Sequence, residues 1–219
     1  MSEHYLLATR SLGKLYELRP MFSAAGLEVL DLDRAGIAES AEEADIEEFD
    51  SFEENALAKA KYFRARSGLV TIADDSGLEV QALGGAPGVR TKRWSGRADL
   101  EGRALDVANN EFLLRKLDKQ TDRRARYVCV AALVDKNGHR AFRGETEGTI
   151  LESPRGEGGF GYDPLFLSSD LGITFAEAER AVKERNSHRG RAFSQLIVWL
   201  AKRARREVMS AVDPDRGSP

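Results

Sequence analysis

Leu69-Val70-Thr71-Ile72-Ala73-Asp74-Asp75-Ser76-Gly77 runs from an apolar, β-branched segment straight into two adjacent carboxylates. The apolar part reads as a buried strand, and a strand ending at Asp74 would set concentrated negative charge at a sheet edge. Two carboxylates about 4 Å apart repel by roughly 4 kcal/mol at an effective dielectric near 20. A proton, a basic partner or a divalent cation must relieve that repulsion. On spacing alone, a polar turn with both side chains diverging into water explains the pair equally well.

Outward from this strand, apolar runs alternate with helical periods, the pattern of an α/β domain. Upstream, Ser51-Phe52-Glu53-Glu54 has the Ser-x-x-Glu form of a capping box. It opens a helix expected to reach about Arg66 and stop at Gly68. Asn55 and Lys59 share one face of it. Further upstream, strand Tyr5 to Ala8 leads through Thr9-Arg10-Ser11-Leu12-Gly13 into a helix opening near Lys14. Leu15, Leu18, Phe22 and Ala25 form its apolar stripe, and Pro20 predicts a kink or boundary. Downstream lie a tight loop at Gly84-Gly85-Ala86-Pro87-Gly88 and a helix over Leu100 to Leu117, with Leu105, Ala108 and Phe112 inward. Tyr127 to Val134 is apolar on both faces, as in a central strand. Asn137-Gly138 then signals a hairpin into His139 to Gly144. Thr174-Phe175-Ala176-Glu177 repeats the capping-box pattern. The last helix turns Phe193, Leu196, Ile197 and Leu200 inward and Lys202, Arg203, Arg205 and Arg206 to solvent. The expectation is one α/β domain over residues 1–209, with a mixed, twisted central sheet flanked by helices. Residues 210–219 are too polar and turn-rich to be expected to fold.

Composition narrows the function. In 219 residues, 33 Lys plus Arg stand against 36 Asp plus Glu, a net charge of −3, which argues against stable nucleic-acid binding or a charged membrane surface. The one cysteine, Cys129, excludes an internal disulfide and reads as a buried thiol. His4, His139 and His188 are too scattered for a zinc cluster. With neither a signal-peptide pattern nor a membrane-length apolar stretch, the expected localisation is cytoplasmic.

Three further groups carry chemistry. Thr9 to Lys14 places backbone N–H groups and a lysine at a helix N-terminus, an arrangement that favours phosphate, although an ordinary βα turn has the same form. Phe160-Gly161-Tyr162-Asp163-Pro164 combines a flexible backbone, two aromatics and a carboxylate, and could stack and read a base or simply fill a core. Lys183 and Ser187-His188-Arg189 gather cations at a junction of two helices.

These motifs, in this order and together with Phe52-Glu53-Glu54-Asn55-Ala56 and Gly84-Gly85-Ala86-Pro87-Gly88-Val89, resemble the inosine triphosphate pyrophosphatase (Ham1-like) family of non-canonical purine nucleotide hydrolases. The resemblance runs from residue 5 to about 200. It implies two lobes with a cleft between them, Asp75 on one wall and Phe160 on the other. It also implies Mg²⁺-dependent cleavage of ITP, dITP or XTP between the α and β phosphates, and a homodimer. Carried over by position, Asp75 is the catalytic base, with Glu47, Asp75 and Asp74 at the metal. Thr9, Arg10, Ser11, Leu12, Gly13, Lys14 and Lys59 hold the triphosphate, and Ser76 lies against the substrate. Phe160, Gly161, Tyr162, Asp163, Lys183, His188 and Arg189 contact the base and nucleotide, with Arg189 and backbone groups near Phe160 the candidate donors to a 6-oxo group. Ser11 departs from the family, which commonly has Asn there. Two other readings remain open: a pyrophosphatase of pyrimidine or modified nucleotides, and a non-catalytic nucleotide- or RNA-binding module built on Arg123-Arg124-Ala125-Arg126 and the basic face of the last helix.

Overall fold

A computed structural model describes residues 4–212, with side chains described through residue 206. Six strands form one mixed sheet in the order β2-β1-β3-β4-β5-β6. They are β1 (Tyr5–Leu7), β2 (Val29–Asp31), β3 (Val70–Val80), β4 (Arg124–Asp135), β5 (Gly138–Ile150) and β6 (Phe166–Ser168). β1 runs parallel to β2 and β3, and the other pairings are antiparallel. Two helices cover one face: α1 (Leu12–Ala24) and α5 (His188–Val212). They pack Leu15, Leu18, Phe22, Phe193, Leu196 and Leu200 against Ile72, Cys129 and Ala131. The opposite face carries α2 (Phe52–Ser67), whose Phe52, Ala56, Ala60 and Phe63 meet Ala73, Val128 and Val130. A third apolar cluster joins the far end of β3 to α3 (Gly102–Lys116) and to Tyr162, Phe166 and Phe175.

Several expectations need correcting. The strand does not end at Asp74: β3 continues six residues further, paired with β4 from Thr71 to Val80. Side chains alternate across a strand, so Asp74 and Asp75 point to opposite faces and do not form a repelling pair. The negative charge does face an edge, because β1 pairs only as far as Ile72. Pro20 lies inside α1 without ending it. The carbonyl it cannot bond, that of Tyr16, belongs to a residue that is 63% exposed, where water can serve it. The buried face of α3 is Asn109 and Leu113, with Leu117 behind them, whereas Leu105, Ala108 and Phe112 are only half-buried. That rotation brings polar residues of α3 onto neighbouring backbone. Thr174 and Glu177 do exchange capping bonds of 2.8 and 3.2 Å, but these close a turn before α4 (Arg180–Asn186). β5 runs to Ile150, well past Gly144, and its hairpin places Lys136 and Asn137 between the Asp135 and Gly138 partners. Arg203 is ion-paired with Asp135, so the basic face of α5 is not wholly solvated. α5 is helical through Val212, three residues into the stretch expected to be unfolded, and residues 213–219 lie outside those described.

Candidate active site

The site grows from the point where β1 stops. Even-numbered residues of β3 turn their backbone groups toward β1, and the Ile72 carbonyl still accepts from Ala8 N at 2.7 Å. Beyond it no strand follows, and side chains and loops take over the edge. The Asp74 carbonyl accepts Lys14 Nζ at 3.3 Å and Lys59 Nζ at 2.9 Å. Ser76 N donates to Asp75 Oδ1 at 2.9 Å, and Leu78 N to Thr91 Oγ1 at 2.8 Å. The two lysines arrive from opposite faces of the sheet, one on α1 and one on α2.

On the α2 face, Asp75 is 7% exposed. Asn55 Nδ2 donates to its Oδ2 at 3.1 Å. The same amide donates to Phe49 O and accepts from Phe49 N, each at 3.0 Å, so Asn55 ties the loop before α2 to the carboxylate. That loop brings Glu47 into an ion pair with Lys59. Burial pushes the Asp75 pKa up; Lys14 and Lys59 oppose it, Glu47 adds to it, and the net shift is upward. Glu47 itself is held low because Lys59 outweighs its burial.

On the α1/α5 face, Asp74 is 1% exposed. Its Oδ2 lies 3.0 Å from Lys14 Nζ, 3.4 Å from Arg189 Nε and 3.7 Å from Cys129 Sγ. Burial would raise this carboxyl, but Lys14, Arg189 and Lys59 outweigh burial and hold it well below the usual range. Arg189 also donates to Glu17 at 2.5 Å and to Ser76 Oγ at 2.8 Å. Lys183 donates to Glu17 and Asp163, both at 2.6 Å. Burial lowers the Lys183 pKa, but Asp163 and Glu17 more than offset it.

α1 begins with Ser11 as its cap, the hydroxyl accepting from Lys14 N at 3.4 Å. A 13-residue helix therefore aims its N-terminus at the same region as two ammonium groups. Gly13 leaves room for Phe160: a Cβ there would lie 2.9 Å from the ring. Lys183 Nζ and the Arg189 guanidinium sit 5.0 and 5.5 Å from the centre of that ring.

The chain matches the Ham1 family model over residues 5–199. It belongs to the Ham1 family. A dITP/XTP pyrophosphatase of Thermus thermophilus is 46% identical over 195 residues, covering 88% of this chain and 89% of that protein. One from Frankia alni is 44% identical over 209 residues, covering 94% and 98%. The structure of the Staphylococcus aureus Ham1 protein superposes with a TM-score of 0.78 at 34% identity, covering 92% of this chain and all of that one.

Within this Ham1 fold, the expected residues separate into two groups. Lys14, Lys59, Glu47, Asp75, Ser76, Lys183 and Arg189 converge, with Phe160 above Gly13 and Thr9, Ser11 and Leu12 in the adjoining turn. Arg10 does not join them. Its guanidinium turns the other way, to Glu43 at 2.8 and 3.1 Å, Asp33 at 3.2 Å and Ile37 O at 3.0 Å. Tyr162 is a core residue, 1% exposed, with its hydroxyl donating to Thr91 O at 3.0 Å. Asp163 accepts from Phe160 N at 2.8 Å and shapes its own loop, while Gly161 is bonded on both sides by α3. His188 is 4% exposed and stacks on Tyr127, ring centres 4.5 Å apart. Burial, then Arg189 and Lys183, hold it neutral. Asp74, expected at a metal, is engaged by cations instead.

The sequence reading missed two site residues. Glu17 follows Lys14 by three positions, so both lie on one side of α1, but one acid among many on a helix gives little signal. Asn55 was placed on the Lys59 face, and its burial marks it out only once the fold is known. The basic run 123–126, basis of the RNA-binding reading, is committed elsewhere. Arg123 donates to the Ile150, Leu117 and Leu151 carbonyls, Arg124 pairs with Asp122, and Arg126 pairs with Glu79 and Glu145.

Proposed function

We propose that this protein hydrolyses non-canonical purine nucleoside triphosphates, dITP, ITP and XTP, to the monophosphate and pyrophosphate. The observation that carries the reading is the pair of lysines on the Asp74 carbonyl, next to the Asp75 carboxylate and facing the start of α1. A triphosphate laid there meets Lys14, Lys59 and the first N–H groups of α1, which together offset its charge. Asp75, its carboxylate fixed by Asn55 and the Ser76 amide, takes the proton of the attacking water. The water oxygen bonds to the α phosphorus, the bond from that phosphorus to the bridging oxygen breaks, and pyrophosphate leaves with the bond's electrons.

Glu47 pairs with Lys59, whose ammonium also sits on the carbonyl of the residue before Asp75, and Mg²⁺ is commonly held by one or two carboxylates plus substrate phosphates and waters. Glu47 and Asp75 would hold it, and Asp74 would keep Lys14 and Arg189 in place. Bound there, the ion would supply charge neutralisation and a more acidic water.

The base would stack on Phe160, with Lys183 and Arg189 beneath. Three of the five Arg189 N–H donors are engaged in the structure, and the others suit a 6-oxo acceptor. An adenine amino group would leave those donors unpaired, at about 1–3 kcal/mol. Phe160 and Asp75 would then face each other across a cleft, in a cytoplasmic enzyme that works as a homodimer. The test is turnover of dITP, ITP, XTP, ATP, GTP, dTTP and UTP with Mg²⁺, with product analysis. Preference for dTTP or UTP, or release of orthophosphate, would overturn the reading.

A further inference from the structure

The Phe160 loop is held from the side of α3. Gly161 has φ +63°, a left-handed backbone that favours glycine. Both peptide groups flanking it are pinned by α3. Asp106 Oδ2 accepts from Gly161 N at 2.9 Å, and Asn110 Nδ2 donates to Gly161 O at 2.9 Å. Asp106 and Asn110 are four residues apart and so share a helix face. Their neighbour Asn109, 3% exposed, reaches a second segment: it accepts from Ser95 N at 2.8 Å and donates to Lys92 O at 3.1 Å. That segment includes the short 3₁₀ helix Gly88–Arg93, which is bonded to β3 through Thr91 and to Tyr162 through the Thr91 carbonyl. A path of hydrogen bonds thus runs from the strand bearing Asp75, through Thr91 and α3, to the peptide that orients Phe160.

We infer that Asp106 and Asn110 are positioning residues for base selection: gripping Gly161 from both sides, they fix the Phe160 ring and its backbone at the distance a purine requires. The inference rests on the pyrophosphatase reading above. Without the grip, Gly161 can leave its left-handed conformation, Phe160 loses its seat over Gly13, and the donors beneath it no longer meet a 6-oxo group at one fixed geometry. The triphosphate contacts at Lys14 and Lys59 are made by other elements and stay as they are. The loss therefore falls on discrimination between bases and leaves the hydrolytic groups in place.

The experiment compares Asp106→Ala and Asn110→Ala with Asp106→Asn, which keeps an acceptor oxygen, and with Leu117→Ala. Leu117 is fully buried just past α3, in the apolar cluster that also holds Tyr162, so its truncation loosens the packing around the loop without removing either polar contact to Gly161. Two readouts are taken: the ratio of kcat/KM for dITP over dATP, and hydrogen exchange at the Gly161 amide in the free protein. The expected result is a drop of about tenfold in the ratio and at least tenfold faster Gly161 exchange for Asp106→Ala. Asn110→Ala shows a similar drop in ratio, and Asp106→Asn and Leu117→Ala stay within about twofold of the parent ratio. An unchanged ratio in both alanine variants overturns the inference, as does an equal drop in Leu117→Ala. Should the parent protein show no preference for dITP, the pyrophosphatase reading fails instead. Exchange then still decides whether the grip exists, and unchanged exchange in Asp106→Ala overturns it.

Discussion

Replacing Asp74 by Asn removes a buried charge and keeps the shape. In the parent protein, Asp74 faces Lys14 at 3.0 Å and Arg189 at 3.4 Å, with a side-chain exposure of 1% for itself, 16% for Lys14 and 4% for Arg189. Breaking a buried ion pair by removing one partner costs about 3–5 kcal/mol, because the other charge stays buried and uncompensated. Lys14 is the more exposed partner and can turn partly to water, and Arg189 keeps Glu17, so the lower end, about 3 kcal/mol, applies. For a domain of this size, each kcal/mol moves the melting point by roughly 2–4 °C, giving a fall of about 6–12 °C at pH 7. The pH dependence supplies the sign. Asp74 is depressed below its ordinary carboxylate value, so its stabilising contribution is complete above that value and is lost as pH falls toward the folded pKa. Asn does not titrate, so the gap between parent and variant should narrow as pH drops below about 4. Denaturant unfolding at pH 7, 5, 4 and 3, alongside thermal melts, reads both effects. A melting-point change below about 3 °C at pH 7, or a gap at pH 3 as large as at pH 7, refutes the reasoning.

Three other outcomes follow from the same geometry. In the metal-free protein the Asp75 carboxyl should titrate above the ordinary carboxylate range because burial shifts it upward, as followed by NMR; Asn55→Ala removes a bond that lowers this pKa, so the titration should move to still higher pH, and a downward move would contradict Asn55 as its support. Gly13→Ala puts a Cβ 2.9 Å from the Phe160 ring, and steady-state kinetics should show KM for dITP rising several-fold with little change in melting point; an unchanged KM would mean the ring is not seated there during binding. Arg10→Ala should cost about 1–2 kcal/mol of stability by freeing Glu43 and Asp33 while KM stays within twofold, and a large KM increase would return Arg10 to the phosphate site.

How much of this was legible beforehand varies by residue. The capping box at Ser51, the Gly68 stop and the both-faces-apolar β4 are local signals, and each sits where its chemistry requires. The length of β3 was not legible, because the two Asp residues and the Gly of Asp74-Asp75-Ser76-Gly77 disfavour strands. They are held extended by ten consecutive partners on β4, a tertiary effect that no local pattern carries. For the site, residue type and order brought Lys14, Lys59, Asp75 and Arg189 together through family resemblance. Direction was another matter: a sequence cannot say that the Arg10 side chain leaves the turn toward Glu43, or that Tyr162 points inward. Glu17 and Asn55 were hidden for the same reason, since their roles depend on partners 172 and 20 residues away.

The short β1 has one more consequence. A strand with unpaired backbone groups is a template for another chain, and proteins commonly blunt such edges with charge, lysine above all. Past Ile72, β3 has such an edge in the middle of the molecule, and Lys14 and Lys59 cap its Asp74 carbonyl. On the reading proposed above, the two lysines that would receive the triphosphate also keep that edge from serving as a template. Replacing both with small neutral side chains would therefore be expected to lower solubility as well as substrate affinity, with intermolecular β-structure as the visible form of the damage.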